Sequence, residues 1–401
     1  MKKTVAEKIL SAHCGRNVSA DDIAVCDVDF LMASDTTGGL AIKAFHEMGG
    51  SRVSAPENMA FFLDHAAPAP NRDIANTQKF IRDFAKDQGI RVYESGAGIC
   101  HQLVMEDDLV RPGQLALGAD SHTCLYGAVG AFSTGVGSTD LAVSMLTSRN
   151  WFRVPRTMKV HMHGEFTPGV YAKDFILDLI GRIGANGACY MSMEFEPDLR
   201  RPLDQRMTIC NMVVECGAKN GLFYDEDSGI IPDKGCRYDL VLHIDMDKIS
   251  PMVSRPNRVD NTAAVSELSG TKVQQGFLGS CTNGRIEDLR AAAVILRGKT
   301  IAPQCRLIVA PASVTVLKKA FEEGVMQVLL DAGAVLTPCG CGACVGTHNG
   351  IPADGETVIS SSSRNFTGRM GNAKARIFLA SAATVAASVL TGEITDPREV
   401  L

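Results

Sequence analysis

Apolar residues along the chain recur in two patterns, short uninterrupted runs and longer segments with helical spacing. The short runs, such as 115–117, 273–278 and 357–361, are typical of strands buried on both faces of a parallel sheet. The longer segments predict amphipathic helices. These predicted helices include 73–89, 170–183, 203–218, 286–297, 313–332 and 373–390. The alternation predicts an α/β fold with mostly parallel sheets and helices on both faces.

The length of the chain and the order of these elements predict how it divides into domains. At 401 residues the chain is long enough for two or three domains. We predict three α/β domains, at residues 1–155, 156–262 and 263–401. The polar segment 257–270 is interpreted as a hinge or linker before the third domain.

Composition and charge exclude several classes of protein. Hydrophobic residues make up 45% of the chain, and the formal net charge is −5, so bulk charge gives no indication of a nucleic-acid or membrane partner. An odd count of 13 cysteines in so long a chain argues against a disulfide scaffold. We find no signal peptide and no apolar stretch long enough to span a membrane. The expectation is a cytoplasmic protein with reduced thiols.

Three glycine-rich turns in the last third of the chain carry thiols and basic side chains. They lie at 279–285, 338–346 and 364–369. Cys341 and Cys344 form a C-x-x-C pair, which alone fits half a zinc site, a redox dithiol or part of an iron–sulfur site. Cys281 lies between an apolar run and a predicted helix, where backbone N–H groups favour negative charge.

Three thiolates together suit an iron–sulfur cluster in which one iron has no protein ligand. An open coordination position marks a metal that acts as a Lewis acid on substrate. The first alternative is that these are reduced cysteines buried in tight turns. A second alternative is a zinc-stabilised structural protein, which would contain zinc without sulfide.

Histidines follow three of the predicted strands in the first third of the chain. His65, His101 and His122 come shortly after the runs at 59–63, 91–94 and 115–117. Ligands of open α/β sheets bind at the carboxyl ends of strands. The recurrence of histidine at three such ends, twice with a nearby aspartate, therefore predicts an acid–base site.

The quoted motifs resemble a known family. The runs Gly-Ser-Cys-Thr-Asn-Gly-Arg-Ile-Glu-Asp-Leu-Arg at 279–290, Gly-Cys-x-x-Cys at 340–344 and Arg-Asn-Phe-x-Gly-Arg at 364–369 resemble the aconitase superfamily. They are most similar to the large subunits of 3-isopropylmalate dehydratase and homoaconitase. The resemblance implies three domains of α/β/α layers, without the C-terminal swivel domain of single-chain aconitases.

The resemblance also implies a cofactor and a partner. Cys281, Cys341 and Cys344 would bind a [4Fe-4S] cluster in which one iron has no protein ligand. Because the swivel domain is missing, a small subunit of the same superfamily is expected to complete the enzyme as a heterodimer or heterotetramer.

Individual roles follow from the same resemblance. The expected carboxylate–histidine pairs are Asp64 with His65, Asp120 with His101, and Glu215 with His122. His65 is expected to protonate the leaving hydroxyl group. The expected substrate-binding residues are Asn211, Arg285, Ser363, Arg364 and Arg369. Arginine suits this role because its guanidinium group binds carboxylates through two hydrogen bonds.

The implied function is a hydro-lyase that isomerises a 2-hydroxy di- or tricarboxylate, with 3-isopropylmalate as the leading substrate. Homoaconitase and dehydratases of 2,3-dimethylmalate or citramalate type are alternatives, and an iron-responsive RNA-binding regulator is the non-enzyme alternative. Two positions depart from the family pattern. Gly39 stands where aconitases have Gln, and Ser363 stands where Asn is usual.

Overall fold

The computed structural model describes residues 2–224 and 229–401. In chain order the strands are β1 (Ile23–Asp27), β2 (Phe30–Ser34), β3 (Met59–Phe62), β4 (Arg91–Tyr93), β5 (Leu115–Gly118), β6 (Phe132–Gly135), β7 (Arg149–Arg153), β8 (Thr157–His163), β9 (Ser192–Pro197), β10 (Asn220–Phe223), β11 (Leu240–Asp245), β12 (Met252–Ser254), β13 (Thr262–Ala264), β14 (Gln275–Leu278), β15 (Arg306–Val309), β16 (Val335–Leu336), β17 (Thr357–Ser360) and β18 (Arg376–Ala380).

Helices alternate with these strands through most of the chain. They are α1 (Val5–Cys14), α2 (Gly38–Glu47), α3 (Arg72–Gln88), α4 (Cys100–Glu106), α5 (Ser138–Thr147), α6 (Ala172–Ile183), α7 (Leu203–Met212), α8 (Ser280–Asn283), α9 (Ile286–Leu296), α10 (Val314–Glu322), α11 (Val325–Asp331) and α12 (Ala382–Thr391). Two 3₁₀ segments, Ser121–Val129 and Val213–Cys216, also contribute to the site described below.

Within the described residues, the strands form three sheets and one two-stranded ribbon. The five-stranded sheet has the order β4-β3-β2-β5-β6, the four-stranded sheet β10-β9-β8-β11, and both are entirely parallel. The seven-stranded sheet, β13-β12-β18-β17-β14-β15-β16, is parallel except at β12, which is antiparallel to both neighbours. β1 and β7 form an antiparallel ribbon. The predicted α/β class with mostly parallel sheets is confirmed.

Strand ends from the first and third sheets meet at one place. Cys341, beyond β16, donates its backbone N–H to the Asp64 carbonyl beyond β3 at 3.0 Å. Ile99, before α4, donates to the carbonyl of Ala312 beyond β15 at 2.8 Å. The two sheets therefore present the carboxyl ends of their strands to each other, where α/β folds bind ligands.

One predicted helix is partly replaced by a strand in the structure. The segment 373–390 was expected to be one helix, but β18 occupies its first part and α12 begins only after Ser381. Ser381 caps α12 by accepting a hydrogen bond from the Thr384 backbone N–H at 3.4 Å. The apolar run 376–380 pairs with β17 on one side and β12 on the other, so tertiary pairing outweighs helical spacing.

Three smaller differences have local causes. Gly324, at φ +69°, separates α10 from α11 within the predicted helix 313–332. The predicted helix 203–218 ends at Met212 and continues as a 3₁₀ turn, so Asn211 and Glu215 do not share an α-helical face. The predicted linker 257–270 contains β13, an edge strand of the seven-stranded sheet.

The three sheets are consecutive in sequence, spanning 30–135, 157–245 and 252–380. The domain boundaries at 155/156 and 262/263 stay predictions. Over residues 2–224 and 229–401, every helix is too short or too polar to cross a lipid bilayer.

One close backbone approach joins the first and second sheets. Gly127, in the 3₁₀ segment, lies so near β10 that an added Cβ would stand 1.5 Å from the carbonyl oxygen of Gly221. Only glycine fits there, because the obstacle is backbone and has no side-chain freedom to move.

We therefore expect Gly127→Ala to lower the unfolding temperature strongly, with a cost of about 2 kcal/mol or more from overpacking. Gly137→Ala is the matched control, because its added methyl would make only an ordinary contact, 3.7 Å from Asp140 Oδ2. Differential scanning calorimetry measures both variants. Equal unfolding temperatures would contradict the packing argument.

Candidate active site

A cavity of about 280 Å³ lies between the carboxyl ends of the first and third sheets. Many residues predicted from the sequence line it: His65, His101, Asp120, His122, Cys281, Cys341, Cys344, Arg364 and Arg369. Thr36, Ile99, Ser121 and Val345 complete the lining. Residues separated by more than three hundred positions, such as Thr36 and Arg369, thus converge on one space.

Cys281 lies on the short α8, immediately after β14. Its neighbour Ser280 has φ +79°, a left-handed conformation that costs a non-glycine residue about 1–3 kcal/mol. The Ser280 hydroxyl lies 3.8 Å from the Cys281 sulfur and 3.7 Å from the Cys344 sulfur. The strained residue therefore stands between two of the three thiols, as strained residues at functional sites often do.

Cys341 and Cys344 lie on one tight turn, whose 3₁₀ segment is Gly342–Cys344. The Cys344 backbone N–H donates to the Cys341 carbonyl at 3.1 Å. Both side chains are buried, and every cysteine that the structure describes is a free thiol. The turn therefore presents two reduced sulfurs to the cavity.

The thiols differ in their electrostatic surroundings. Burial raises the pKa of Cys281 to about 11. Burial also acts to raise the pKa of Cys344, but the Arg369 guanidinium outweighs it and holds that pKa below the ordinary value. Arg369 Nη2 lies 3.5 Å from the Cys344 sulfur. The arginine thus favours the thiolate that a metal requires.

His65 is held by carboxylates on both ring nitrogens. Its Nδ1 lies 2.8 Å from Asp64 Oδ1, and its Nε2 lies 3.4 Å from Asp120 Oδ2. Burial acts to lower the pKa of His65, but its contacts with Cys341, Asp64 and Asp120 outweigh this effect. The pKa is therefore held well above its ordinary value, which keeps the imidazole protonated near neutral pH.

Asp35 stabilises the turn that carries His65 through hydrogen bonds to its backbone. Its carboxylate accepts hydrogen bonds from the backbone N–H groups of His65 and Ala66, each at 3.0 Å, and from Gln78 Nε2 at 3.1 Å. Sequence analysis did not assign a role to Asp35. Its position directly after β2, at the same sheet edge as Asp64, was the available signal.

His101 forms the second carboxylate pair. Its Nε2 lies 2.9 Å from Asp120 Oδ1, and its Nδ1 lies 3.0 Å from the Tyr126 hydroxyl. Burial acts to raise the pKa of Asp120, but His101, His122 and His65 hold it well below the ordinary value. Asp120 is thus an anion shared by three histidines. Tyr126, which orients His101, was not predicted.

His122, Glu215 and Arg364 form a chain of charges on the remaining wall. His122 Nε2 lies 3.3 Å from Glu215 Oε1, without hydrogen-bond geometry, and Arg364 Nε donates to the same oxygen at 2.7 Å. Burial acts to raise the pKa of Glu215, but His122 and Arg364 hold it below the ordinary value. All three expected carboxylate–histidine pairs are therefore in contact, whereas their catalytic roles stay predictions.

Three predicted substrate-binding residues lie behind the cavity wall. Asn211 Nδ2 donates to the Cys281 sulfur at 3.2 Å, which places this amide on a thiol. The Ser363 hydroxyl is fully buried and has no hydrogen-bond partner among the described residues. Arg285 is 1% exposed and turns away from the cavity, donating to the Cys281 carbonyl at 2.8 Å and to the Thr282 carbonyl.

The arrangement of Arg285 fits a structural role better than the predicted contact with substrate. Its Nε lies 3.2 Å from Asp204 Oδ1, so the charge is paired inside the protein. Because Arg285 donates hydrogen bonds to backbone carbonyls of the Cys281 turn, it stabilises the conformation of that turn. The motif resemblance alone did not distinguish these roles.

Two further positions can now be placed. Cys339 is buried near Glu106 and does not line the cavity. Gly39 is the second residue of α2, and a Cβ added there would lie 3.3 Å from the Thr77 side chain of α3. Thr36, three positions earlier, lines the cavity instead.

The donor set fits an iron–sulfur cluster better than a single ion. Asp64, His65 and Cys341 have ligand atoms within 4.8 Å of one another and could hold one ion. Such an ion would displace the proton that His65 shares with Asp64 and leave Cys281 and Cys344 unused. Three thiols on one cavity suit a cluster with thiolate ligands.

Comparisons with known proteins agree with this geometry. The model of the aconitase family (aconitate hydratase) matches residues 7–230 and 224–392. The chain belongs to the aconitase family. Membership in the aconitase family implies an iron–sulfur cluster, which the three cavity thiols fit.

Relatives within the aconitase family match over their whole length. The chain is 46% identical to 3-isopropylmalate dehydratase large subunit 2 of Archaeoglobus fulgidus, with all of both chains covered. It is 45% identical to the 3-isopropylmalate dehydratase large subunit of Elusimicrobium minutum and 44% identical to large subunit 1 of Thermotoga maritima, again over all of each chain.

A solved structure supports the fold. The crystal structure of Thermococcus kodakaraensis aconitase X in its holo-form matches with a TM-score of 0.56 at 12% identity. The match covers 92% of this chain and 91% of that chain. The aconitase-like fold therefore extends over nearly the whole molecule.

The raised pKa of His65 gives a direct test of the site's electrostatics. We expect Asp64→Asn to lower this pKa in the metal-free chain, because one of the charges that favour the imidazolium is removed. In the unmodified chain, the protonated His65 contributes to the free energy of unfolding. This contribution is complete below the ordinary histidine pKa and is lost as pH rises through the raised pKa.

Histidine side-chain NMR titration measures this effect. Asp29→Asn is the matched control, because Asp29 pairs with His13 at 2.7 Å and its removal lowers the pKa of His13 instead. A His65 pKa that is the same with and without the Asp64 carboxylate would show that this pair does not set the protonation state.

Proposed function

We propose that this chain is the large, cluster-bearing subunit of a hydro-lyase that isomerises 3-isopropylmalate and 2-isopropylmalate in leucine biosynthesis. The observation that carries the proposal is the convergence of three thiols, three carboxylate–histidine pairs and two arginines on one cavity. Full-length relatives named as 3-isopropylmalate dehydratase large subunits favour this substrate over other hydroxy acids.

Cys281, Cys341 and Cys344 would hold a [4Fe-4S] cluster in which one iron has no protein ligand. When bound, the cluster supplies a Lewis acid that polarises the hydroxyl and carboxylate groups of the substrate. Arg369 favours the thiolate of Cys344, and Asn211 donates to the sulfur of Cys281. These two side chains stabilise the negative charge that the thiolates bring.

His65 is the proposed acid for the leaving hydroxyl group. Its raised pKa keeps a proton available near neutral pH, and Asp64 fixes the orientation of the ring. As the proton leaves Nε2, Asp120 at 3.4 Å remains an anion next to it and favours its return. His65 can therefore give a proton to a hydroxyl group and regain it in the next step.

The two cavity arginines are the proposed carboxylate clamp. Arg364 Nε donates to Glu215, and its Nη groups have no hydrogen bond to the described residues, so they are available to a substrate carboxylate. Arg369 contacts Cys344 through Nη2, and its buried Nε has no partner among the described residues. Both guanidinium groups thus have donors to offer a dicarboxylate.

A second subunit is the remaining requirement. The relatives named as large subunits imply a small-subunit partner. We propose that a small swivel-domain subunit supplies the base that removes the carbon-bound proton and the pocket for the isopropyl group, in a heterodimer or heterotetramer.

We expect the purified complex of large and small subunits to interconvert the two isopropylmalates under anaerobic conditions, whereas the large chain alone shows no turnover because the proposed base belongs to the small subunit. Absorbance of the conjugated double bond of the dehydrated intermediate follows the reaction. Homocitrate, 2,3-dimethylmalate and citramalate are the comparison substrates. A higher kcat/KM for any of them would move the proposal to that substrate.

Arg364→Lys and Arg369→Lys test the carboxylate clamp. Each change retains the charge but removes the two-pronged geometry, so we expect KM to rise about tenfold or more, in line with 1.5–3 kcal/mol for a charge-assisted bond. Arg290→Lys is the control, because Arg290 pairs with Glu323 on the surface. An unchanged KM in both cavity variants would exclude the clamp.

A further inference from the structure

Lys173 is a fully buried lysine on α6 that no predicted role explains. It is among the largest fully buried side chains, with 0% of its surface exposed. Its Nζ donates to the backbone carbonyls of Ser361 at 2.9 Å and of Ser362 at 2.6 Å. A helix of the second-sheet region therefore reaches into a loop of the third.

Ion pairing does not account for the burial of this amine. Over the described parts of the chain, no carboxylate oxygen lies within 4.0 Å of Lys173 Nζ. The adjacent Asp174 uses its carboxylate to accept from the backbone N–H groups of Met252 and Tyr171, each at 2.8 Å. Burying an amine without an ionic partner costs several kcal/mol, and an apolar side chain of equal length would avoid that cost.

The loop that Lys173 binds connects two walls of the cavity. The Ser361 hydroxyl accepts from the backbone N–H of Gly279 at 3.0 Å and can donate to the carbonyl of Gly279 at 3.1 Å or of Asn283 at 3.2 Å. Ser361 therefore ties the end of β17 to both ends of the turn that carries Cys281.

The same loop continues directly to Arg364 of the proposed carboxylate clamp. Ser362 is separated by one residue from Arg364, whose Nε donates to Glu215 at 2.7 Å. A peptide unit can rotate when its carbonyl has no partner, and that rotation would move the residues that follow it. The Lys173 bonds hold two successive carbonyls and prevent such rotation at the start of the clamp.

We propose that Lys173 is a positioning residue that fixes the Cys281 turn and the Arg364 loop relative to each other. It acts through hydrogen bonds from Nζ to the Ser361 and Ser362 carbonyls. Both the ammonium and the neutral amine have N–H groups for these two bonds, so the role does not depend on the charge state. The expected effect on catalysis rests on the proposed function, whereas the effect on the two loops does not.

Lys173→Met is the test variant, because methionine has similar length and no donor. The matched control is Lys159→Met, since Lys159 lies on β8, is mostly buried and pairs with Glu196 away from the cavity. Thermal unfolding and amide hydrogen exchange of the full chain are measured first. KM and kcat with isopropylmalate are then measured in the pair with the small subunit.

We expect Lys173→Met to leave the unfolding temperature near that of the unmodified chain. The loss of the two hydrogen bonds to backbone carbonyls is offset by removal of the buried amine. Amide exchange in 279–284 and 361–369 should be about tenfold faster, and KM should rise about tenfold or more with a smaller change in kcat. Lys159→Met should produce neither change.

Two results would overturn the positioning role. One is faster exchange spread evenly over the chain together with a lower unfolding temperature, which indicates general stabilisation only. The other is unchanged exchange in both loops. If the unmodified pair has no isopropylmalate activity, the proposed function fails, and the exchange data still decide the role of Lys173.

Discussion

Mutual neutralisation of buried charges is the constraint on which this site depends. Three histidines hold the pKa of Asp120 well below its ordinary value, and Asp64 and Asp120 are among the groups that hold the pKa of His65 well above its own. Glu215 is held between His122 and Arg364 in the same way. An unpaired charge at this depth would cost several kcal/mol, so each group needs the others in place. The acid, its carboxylates and the thiols are therefore parts of one electrostatic unit.

The fold makes this unit possible by bringing strand ends together from two directions. The first sheet contributes the segments after β2, β3, β4 and β5, and the third contributes those after β14, β16 and β17. Backbone hydrogen bonds such as that from Cys341 to the Asp64 carbonyl join the two sets. Side chains behind the cavity, Asp35, Tyr126 and Lys173 among them, then hold the turns in orientation. The positions of the cavity side chains are thus fixed both by the packing of helices and strands and by polar contacts from residues behind the cavity.

The sequence was sufficient to predict which thiols and histidines come together in the cavity, and insufficient to predict the residues that hold them in place. Thiols in glycine-rich turns and histidines after apolar runs are distinctive locally, so Cys281, His65 and their partners were predictable. Arg285 belongs to the same motif as Cys281, yet its direction depends on Asp204 and on carbonyls that only the folded chain brings near. The strand β18 was missed for a similar reason, because pairing with β17 and β12 outweighs local spacing. Long-range contacts, which no local pattern encodes, account for these differences.

We infer that three thiols from distant parts of the chain hold one iron–sulfur cluster, in which one iron is open to substrate. Mössbauer spectroscopy of the chain reconstituted anaerobically with iron-57, with its small subunit and with or without isopropylmalate, tests it most directly. We expect about four irons per chain, of which one has distinct Mössbauer parameters that change when substrate is added. Four irons that are all indifferent to substrate, or zinc in place of iron and sulfide, would contradict it.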